Sequence, residues 1–311
     1  RDAQESRGLG DVYKRQAVHH AQYQELAEAL SEGKVSVGDA EEALLAMKNP
    51  YDTIALQAAG IGYRADYAYH DGKYYVYFGI VPVLLLYLPY YLLTGGALQN
   101  YVAVFVFFAG FIIAAAGFVY ELMKRYFKEQ PFYLWAVGTG MLVGSYSMFY
   151  LLIRPDLYHV PIAASTMFAT GGLWLYLAGL NRPKKAVGLY AFGSFCMALT
   201  AGCRPQFILF AALAVVLFWE RVFVKRELFS KKGWRQTAAL VVPYVLIAAG
   251  LMAYNALRFG SPFDFGASYS MTSNDMTHRG TNLERILYGI WYFLFEPMQL
   301  EGKFPYLQSA S

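Results

Sequence analysis

Long apolar segments separated by short polar loops dominate the chain from residue 101 onward. Such segments lie at residues 101–121, 131–153, 158–180, 186–202, 206–221 and 237–257. A helix needs about 20 predominantly apolar residues to cross the hydrocarbon core of a bilayer. The chain is 57% hydrophobic and 15% charged, whereas soluble domains have about 45–50% apolar and 25% charged residues. The sequence therefore predicts an all-α fold, a polytopic transmembrane helical bundle whose core occupies residues 95–257.

The charges of the connecting loops alternate, and this alternation predicts which side of the membrane each loop faces. Basic residues gather in three loops, at residues 124–128, 182–185 and 221–235, while the intervening loops hold at most one each. Because cytoplasmic loops are enriched in Lys and Arg, we expect the three basic loops to be cytoplasmic and the others to lie outside. The net charge of +4 is then a topology signal, and no nucleic-acid partner is expected.

The N-terminal part of the chain is its most polar part. Residues 1–16 resemble a translated adapter sequence, so we treat them as a non-native leader and exclude them from the fold. Residues 17–74 predict an extracytoplasmic loop domain with a helix at residues 22–31. A second helix is predicted to begin at a capping box formed by Asp39 and Glu42.

Residues 75–94 decide on which side of the membrane this loop domain lies. The segment is long enough to cross a bilayer, but Gly79, Pro82 and Pro89 interrupt it. If it crosses, the loop domain is cytoplasmic and cannot meet the outer loops. If it is interfacial or re-entrant, the loop domain lies outside with them. The prolines favour the second alternative, although prolines also occur in true spans.

Residues 258–311 predict an extracytoplasmic segment with one more helix. Asn282 is a candidate N-cap, and the residues that follow place apolar side chains on one face, namely Ile286, Leu287, Ile290, Trp291 and Leu294. A helix of about fifteen residues is too short to span comfortably, so we expect it to lie along the outer membrane interface. The chain does not begin with Met, and we expect it to be a fragment truncated at both ends.

One turn between two predicted spans concentrates polar side chains. Arg154, Pro155 and Asp156 interrupt an otherwise apolar stretch, and His159 follows them. In a structural interpretation Pro155 starts the next helix, Asp156 caps it and Arg154 extends toward the membrane interface. In a functional interpretation the carboxylate takes part in catalysis. The residues by themselves favour the structural interpretation and leave the functional one open.

Three runs of residues resemble the GT-C superfamily of membrane glycosyltransferases, whose closer members include protein O-mannosyltransferases and bacterial lipid A aminoarabinose transferases. The runs are Asp71-Gly72-Lys73-Tyr74-Tyr75, Arg154-Pro155-Asp156 and Tyr254-Asn255-Ala256-Leu257-Arg258-Phe259-Gly260-Ser261-Pro262. The resemblance implies an inverting enzyme of the bacterial cytoplasmic membrane. Such an enzyme moves a sugar from a polyprenyl-phosphate donor to a lipid, glycan or protein acceptor at the outer face.

The resemblance also implies roles for individual residues. In these families an acid in the first outer loop serves as general base, and a second acid at the next outer turn supports it. Asp156 matches the second position. The first usually follows an opening helix that we expect to be missing, so Asp52 is only a substitute candidate. Lys73 matches a phosphate-binding lysine, and the other candidates for the donor phosphate are Arg154, His159, Arg204 and Arg258.

Two other classes of protein remain open. A lipid-linked saccharide transporter or flippase would place polar residues near the middle of the membrane, and a non-catalytic membrane scaffold would need no site. The sequence contains no nucleotide-binding glycine motif and no zinc-ligand cluster, so no cofactor is assigned, while a divalent metal and the oligomeric state stay undecided. Cys196 and Cys203 lie about 10.5 Å apart on one predicted helix, too far for a disulfide, which predicts free thiols.

Overall fold

A computed structural model describes residues 22–145, 148–231, 233–272, 275–277, 283–296, 299–300 and 307–308. Within these residues a small polar domain is followed by a bundle of long apolar helices. Five helices are long and apolar enough to cross a membrane: Asn100–Tyr126, His159–Asn181, Pro183–Cys203, Pro205–Val224 and Trp234–Phe259. These five correspond to five of the six predicted spans. The predicted leader, residues 1–16, lies outside the described residues.

The loop domain, residues 22–75, combines short helices with a small sheet. Its elements are α1 (Gln22–Ser31), β1 (Gly38–Asp39), α2 (Glu42–Leu45), α3 (Thr53–Ala58), β2 (Ala68–His70) and β3 (Lys73–Tyr75). The strands pair antiparallel in the order β1-β3-β2. Helix α1 has the predicted bounds, and its buried Tyr23, Leu26 and Ala27 form the face that packs on the rest of the chain. The fold is therefore mostly helical, and an all-α description omits this sheet.

The predicted capping box at Asp39 and Glu42 is wrong. Asp39 is a strand residue that lies opposite Lys73, and the N-cap position of the four-residue helix α2, Glu41, makes no side-chain cap hydrogen bond. The backbone N–H of Ala40 donates to the carbonyl oxygen of Gly72 at 2.8 Å. Pairing with the distant strand β3 thus satisfies backbone groups that a helix cap would otherwise have satisfied. This tertiary contact overrides the capping-box pattern of the sequence.

The segment at residues 75–94 ends in a helix, α4 (Ile80–Thr94). Its fifteen residues give a length of about 22 Å, shorter than the roughly 30 Å hydrocarbon core. A π-helical turn at Val83–Tyr87 precedes Pro89, which has no N–H to donate. Helix α4 packs against α1 of the loop domain. Helix α4 is therefore shorter than the five candidate spans, and its interfacial or re-entrant placement stays a prediction.

The bundle places one helix at its centre. Its elements are α5 (Asn100–Tyr126), α6 (Tyr133–Ser145), α7 (Met148–Ile153), α8 (His159–Asn181), α9 (Ala186–Cys203), α10 (Pro205–Val224), α11 (Trp234–Phe259) and α12 (Leu283–Leu294), with short 3₁₀ turns at Pro183–Lys185, Glu227–Phe229 and Ala267–Tyr269, and strands β4 (Gln299–Leu300) and β5 (Leu307–Gln308). Helix α8 packs between α5 and α9, and α9 also packs against α11.

Two predicted features involve residues that lie outside the described part of the chain. The span predicted at 131–153 corresponds to α6 and α7, and residues 146–147 between them lie outside the described part. The predicted N-cap Asn282 also lies outside it, while α12 begins at the next residue, Leu283. The prediction of free thiols is confirmed, because Cys196 and Cys203 are both free and buried.

Helices α8 and α9 approach closely at two glycines. A Cβ atom added to Gly172 would lie 2.9 Å from the carbonyl oxygen of Gly193. A Cβ atom added to Gly193 would lie 2.9 Å from the ring of Tyr176 and 3.1 Å from the carbonyl oxygen of Gly172. Small residues at such contacts let the backbones of membrane helices come together, so a larger side chain must push the two helices apart.

We expect Gly193→Val to destabilise the protein by about 1–3 kcal/mol, the usual range for overpacking. The matched control is Gly188→Val in the same helix, because a Cβ atom there would meet nothing within 4 Å. Denaturant unfolding of both purified variants in detergent measures the difference. Equal stability of the two variants would contradict the close packing described here.

Candidate functional site

The loop domain is fastened to one end of the bundle by hydrogen bonds between distant parts of the chain. The Tyr23 hydroxyl of α1 donates to the carbonyl oxygen of Leu157 at 2.7 Å. The Arg258 guanidinium at the end of α11 donates to the carbonyl oxygen of Val76 at 2.7 Å. The backbone N–H of Gly79 donates to the backbone carbonyl oxygen of Cys203 at 3.1 Å. The loop domain, together with residues 76–79 that follow it, therefore meets the ends of α8, α9 and α11, including the turn that carries Asp156.

Asp66 lies where three of these parts converge. Its carboxylate accepts a hydrogen bond from the Tyr158 hydroxyl at 2.7 Å, and its backbone N–H donates to the carbonyl oxygen of Met271 at 2.9 Å. The side chain of Gln22 donates to its carbonyl oxygen at 3.2 Å. Asp66 also has a φ of 62°, a conformation that non-glycine residues adopt infrequently and that clusters at functional sites. Sequence reasoning did not select Asp66.

Tyr77 is a partly buried residue whose pKa responds to groups from several parts of the chain, among them the Tyr158 hydroxyl. Burial raises the pKa of Tyr77, and the negative charge of Asp66 acts in the same direction, whereas the positive charge of Arg204 acts in the opposite one. Asp66 and Arg204 are thus both close enough to influence one buried hydroxyl. An acid, a cation and hydroxyl donors therefore share this region, where the loop domain meets the bundle.

Local contacts of Asp156 hold the turn before α8, but Asp156 is not the helix cap and Pro155 does not start the helix. Helix α8 begins at His159, and its N-cap position, Tyr158, makes no side-chain cap hydrogen bond. Asp156 accepts a hydrogen bond from the backbone N–H of Tyr158 at 3.0 Å, and the same carboxylate oxygen lies 3.1 Å from His159 Nδ1. His159 Nδ1 also contacts the carbonyl oxygen of Arg154, and the backbone nitrogen of Asp156 lies 3.5 Å from the same ring nitrogen. The Asp156 side chain is 44% exposed, so these local contacts are compatible with a role in chemistry.

Arg258 is buried inside the protein, with 4% of its surface exposed. Besides Val76 it donates to the side chain of Asn255 at 2.7 Å, and its guanidinium lies 3.9 Å from the centre of the Tyr254 ring. Its Nε and the Tyr254 hydroxyl border a cavity of about 20 Å³, which holds about one water molecule. The structure thus gives Arg258 contacts that fasten the loop domain to α11, and the cavity is too small for a phosphate group.

Asp52 and Lys73 lie elsewhere in the loop domain. Asp52 caps α3, accepting a hydrogen bond from the backbone N–H of Ala55 at 3.0 Å. Lys73 is exposed on β3 and borders a polar cavity of about 440 Å³, together with Lys34 and four carboxylates, those of Glu25, Glu28, Glu32 and Asp39. These acids disfavour an anion there. Within the described residues no contact joins Asp52 or Lys73 to Asp66 or Asp156, and their predicted roles stay predictions.

Of the predicted site residues, the structure brings five to the end of the bundle that meets the loop domain, namely Arg154, Asp156, His159, Arg204 and Arg258. Asp156 and His159 form the turn before α8, and Arg204 follows α9 near Tyr77. Arg154 is exposed, with its guanidinium 6.0 Å from the centre of the Tyr150 ring. In the described part of the chain, no group of three or more His, Cys, Asp or Glu side chains could hold a metal ion.

Comparisons with protein families, with curated proteins and with solved structures found no match.

Proposed function

We propose that this chain belongs to an inverting membrane glycosyltransferase of the bacterial cytoplasmic membrane. It would move a sugar from a polyprenyl-phosphate donor to a lipid, glycan or protein acceptor at the outer face. The observation that carries the proposal is the hydrogen bond between the Tyr158 hydroxyl and Asp66. It joins a loop-domain carboxylate to the turn that holds Asp156, so an acid of the first outer loop and an acid of the next outer turn lie in one region.

The transfer reaction needs a base for the acceptor hydroxyl, a cation for the departing phosphate and an apolar surface for the polyprenyl chain. The acceptor oxygen forms a bond to the anomeric carbon while the bond from that carbon to the donor phosphate breaks, and the acceptor hydroxyl loses its proton. Asp66 is the carboxylate proposed to receive that proton. Asp156, held by Tyr158 N–H and beside His159, is proposed to support it from the neighbouring turn.

Arg204 is the cation proposed to face the departing phosphate. Its charge acts on Tyr77, and in the described residues its side chain forms no hydrogen bond or ion pair that would occupy it. Cationic donors aimed at the charge that develops on a leaving group lower the barrier to reaction. The apolar surface of α10 and α11, whose residues are mostly exposed or partly exposed, offers a place for the polyprenyl chain.

The test is transfer of radiolabelled sugar from polyprenyl phosphate by the full-length protein in membranes. We expect label to become covalently attached to an acceptor, with loss of the polyprenyl-phosphate donor. A flippase would instead move the donor across the bilayer chemically unchanged, and a scaffold would do neither. Transport of intact donor without any covalently labelled product would overturn the proposal.

Arg204→Gln should weaken use of the donor about tenfold. A hydrogen bond to a charged group contributes about 1.5–3 kcal/mol, and 1.4 kcal/mol corresponds to a factor of ten. The control is Lys34→Gln, which removes one charge from an exposed loop-domain residue paired only with Glu32. Steady-state transfer at varied donor concentration measures the effect, and equal values of kcat/KM for the two variants would exclude Arg204 from the donor site.

A further inference from the structure

The end of the bundle opposite Asp156 is strongly basic. Residues 121–129, 181–186 and 220–236 contain twelve basic and four acidic side chains. Contacts in the structure bring these three loops together. The Asn181 side chain donates to the Glu121 carboxylate at 2.9 Å, and the Arg221 guanidinium donates to Tyr190 and Gln236 at 2.9 and 2.7 Å. The helices that carry the three loops therefore end side by side, and their charges form one surface, which we call the basic end.

Few of these cations are neutralised by neighbouring acids. Three of the four carboxylates are each paired with one cation: Glu121 with Arg182, Glu220 with Lys225 and Glu227 with Arg221. The other described cations of the basic end are exposed, apart from Arg125. Lys184 and Lys185, for example, extend from the turn between α8 and α9 with no carboxylate partner in the described part of the chain. The basic end therefore carries a large excess of positive charge that is accessible to a ligand.

Among the described cations of the basic end, Arg125 alone is partly buried without a carboxylate partner. Its Nη1 lies 3.4 Å from the Leu180 carbonyl oxygen and 3.4 Å from the Asn181 side-chain oxygen, both long for hydrogen bonds. Its Nε is buried and, in the described residues, has no hydrogen-bond partner. The guanidinium thus sits between the ends of α5 and α8, and within the described residues its Nη2 makes no hydrogen bond, which leaves this donor for an anionic acceptor.

Aromatic side chains surround the basic end. Tyr126, Trp219 and Trp234 are 55%, 56% and 61% exposed, and each lies next to the basic loops in sequence. Exposed Trp and Tyr at the ends of apolar helices are typical of the membrane interface. A ligand here would meet cations at its head and apolar surface along its length, which fits an amphipathic molecule better than a free ion.

We propose that the basic end binds an anionic glycerophospholipid, with the phosphate of its head group at Arg125 and the neighbouring lysines. Basic pockets between transmembrane helices at the cytoplasmic side bind such head groups. The acyl chains lie along the exposed apolar faces of the adjoining helices. This site is independent of the glycosyltransferase proposal, because it uses none of the residues that contact Asp66 or Asp156.

The experiment measures thermal unfolding of the purified full chain in a neutral detergent with added phosphatidylglycerol or phosphatidylcholine. Phosphatidylglycerol should raise the unfolding temperature more than phosphatidylcholine does, and added salt should reduce that difference, because it screens exposed charges. Arg125→Gln should weaken the apparent affinity for phosphatidylglycerol about fivefold, since each basic residue near an anionic surface contributes about 1 kcal/mol. Lys34→Gln, which removes an exposed charge from the loop domain, is the control and should have no effect.

A second variant keeps the test valid if Arg125→Gln folds poorly. The double variant Lys184→Gln and Lys185→Gln changes only exposed side chains and should also weaken the response to phosphatidylglycerol. Equal stabilisation of the parent by both lipids would overturn the proposal. So would an undiminished response to phosphatidylglycerol in either basic-end variant that folds. Inorganic phosphate that stabilises the protein as well as the lipid does would show that the ligand is a free ion.

Discussion

Asp66→Asn is expected to lower the rate of sugar transfer by about 10²–10⁴-fold, the contribution of a positioned general base. Asparagine tolerates a positive φ better than most residues, so the backbone at φ 62° should be kept. It also keeps an oxygen that accepts the hydrogen bond of the Tyr158 hydroxyl. The substitution therefore removes the negative charge with little change in structure, and the transfer assay on membranes with equal protein levels reports the loss.

Two further substitutions are compared with Asp66→Asn in the same transfer assay. Asp39→Asn alters an exposed acid of the same loop domain that lies on β1, and transfer should stay near the parental rate. Asp156→Asn keeps an oxygen that can accept the hydrogen bond of Tyr158 N–H, so a purely structural role should lose at most about 1 kcal/mol of stability and leave the rate unchanged. Loss of a supporting carboxylate should instead lower the rate of transfer. Parental transfer by a well-expressed Asp66→Asn protein would remove Asp66 from the mechanism.

Arg182→Ala is expected to destabilise the protein by about 3 kcal/mol. Glu121 has 3% of its side chain exposed and is paired with Arg182, so the variant leaves a buried carboxylate with the Asn181 amide as its remaining donor. Breaking a buried ion pair costs about 3–5 kcal/mol. The lower end applies, because Arg182 itself is 37% exposed. Denaturant unfolding in detergent measures the change.

The neighbouring Lys184→Ala serves as the control, with an expected change within about 0.5 kcal/mol, as for other exposed residues. The double variant Arg182→Ala with Glu121→Gln should recover part of the loss, because the amide carries no charge to be left unpaired. Additive effects of the two substitutions would mean that the pair is not coupled, and the stability assigned to it would then be wrong.

The helices that depend on local pattern were predictable, and the contacts between distant segments were not. Apolar length located five helices of the bundle, and the apolar face of α1 gave its bounds. Asp39 failed as a cap because β3, far along the chain, pairs with it. Arg258 was expected to be an outer cation, yet the Val76 carbonyl oxygen, 182 residues away, accepts its hydrogen bond inside the protein.

Asp66 illustrates the same limit within the candidate site. It follows no motif, and its neighbours Arg64 and Tyr67 engage Glu25 of α1, which sequence spacing does not reveal. Its importance depends on Tyr158, 92 residues later. Asp156 was predictable because a charged turn between two apolar spans stands out in any sequence of this type. Of the two proposed carboxylates, sequence pattern therefore indicates Asp156, and only the fold indicates Asp66.

Determining which side of the membrane each loop faces is the most direct test of a site built from the loop domain and the outer helix ends. In a protein whose Cys196 and Cys203 are replaced by alanine, single cysteines at Leu45, Ser268 and Ser230, all exposed, are labelled in intact cells with a membrane-impermeant reagent. We predict labelling of Leu45→Cys and Ser268→Cys from outside, and of Ser230→Cys only after the membrane is opened. Labelling of Leu45→Cys from the same side as Ser230→Cys would separate the loop domain from Asp156 and contradict the composite site.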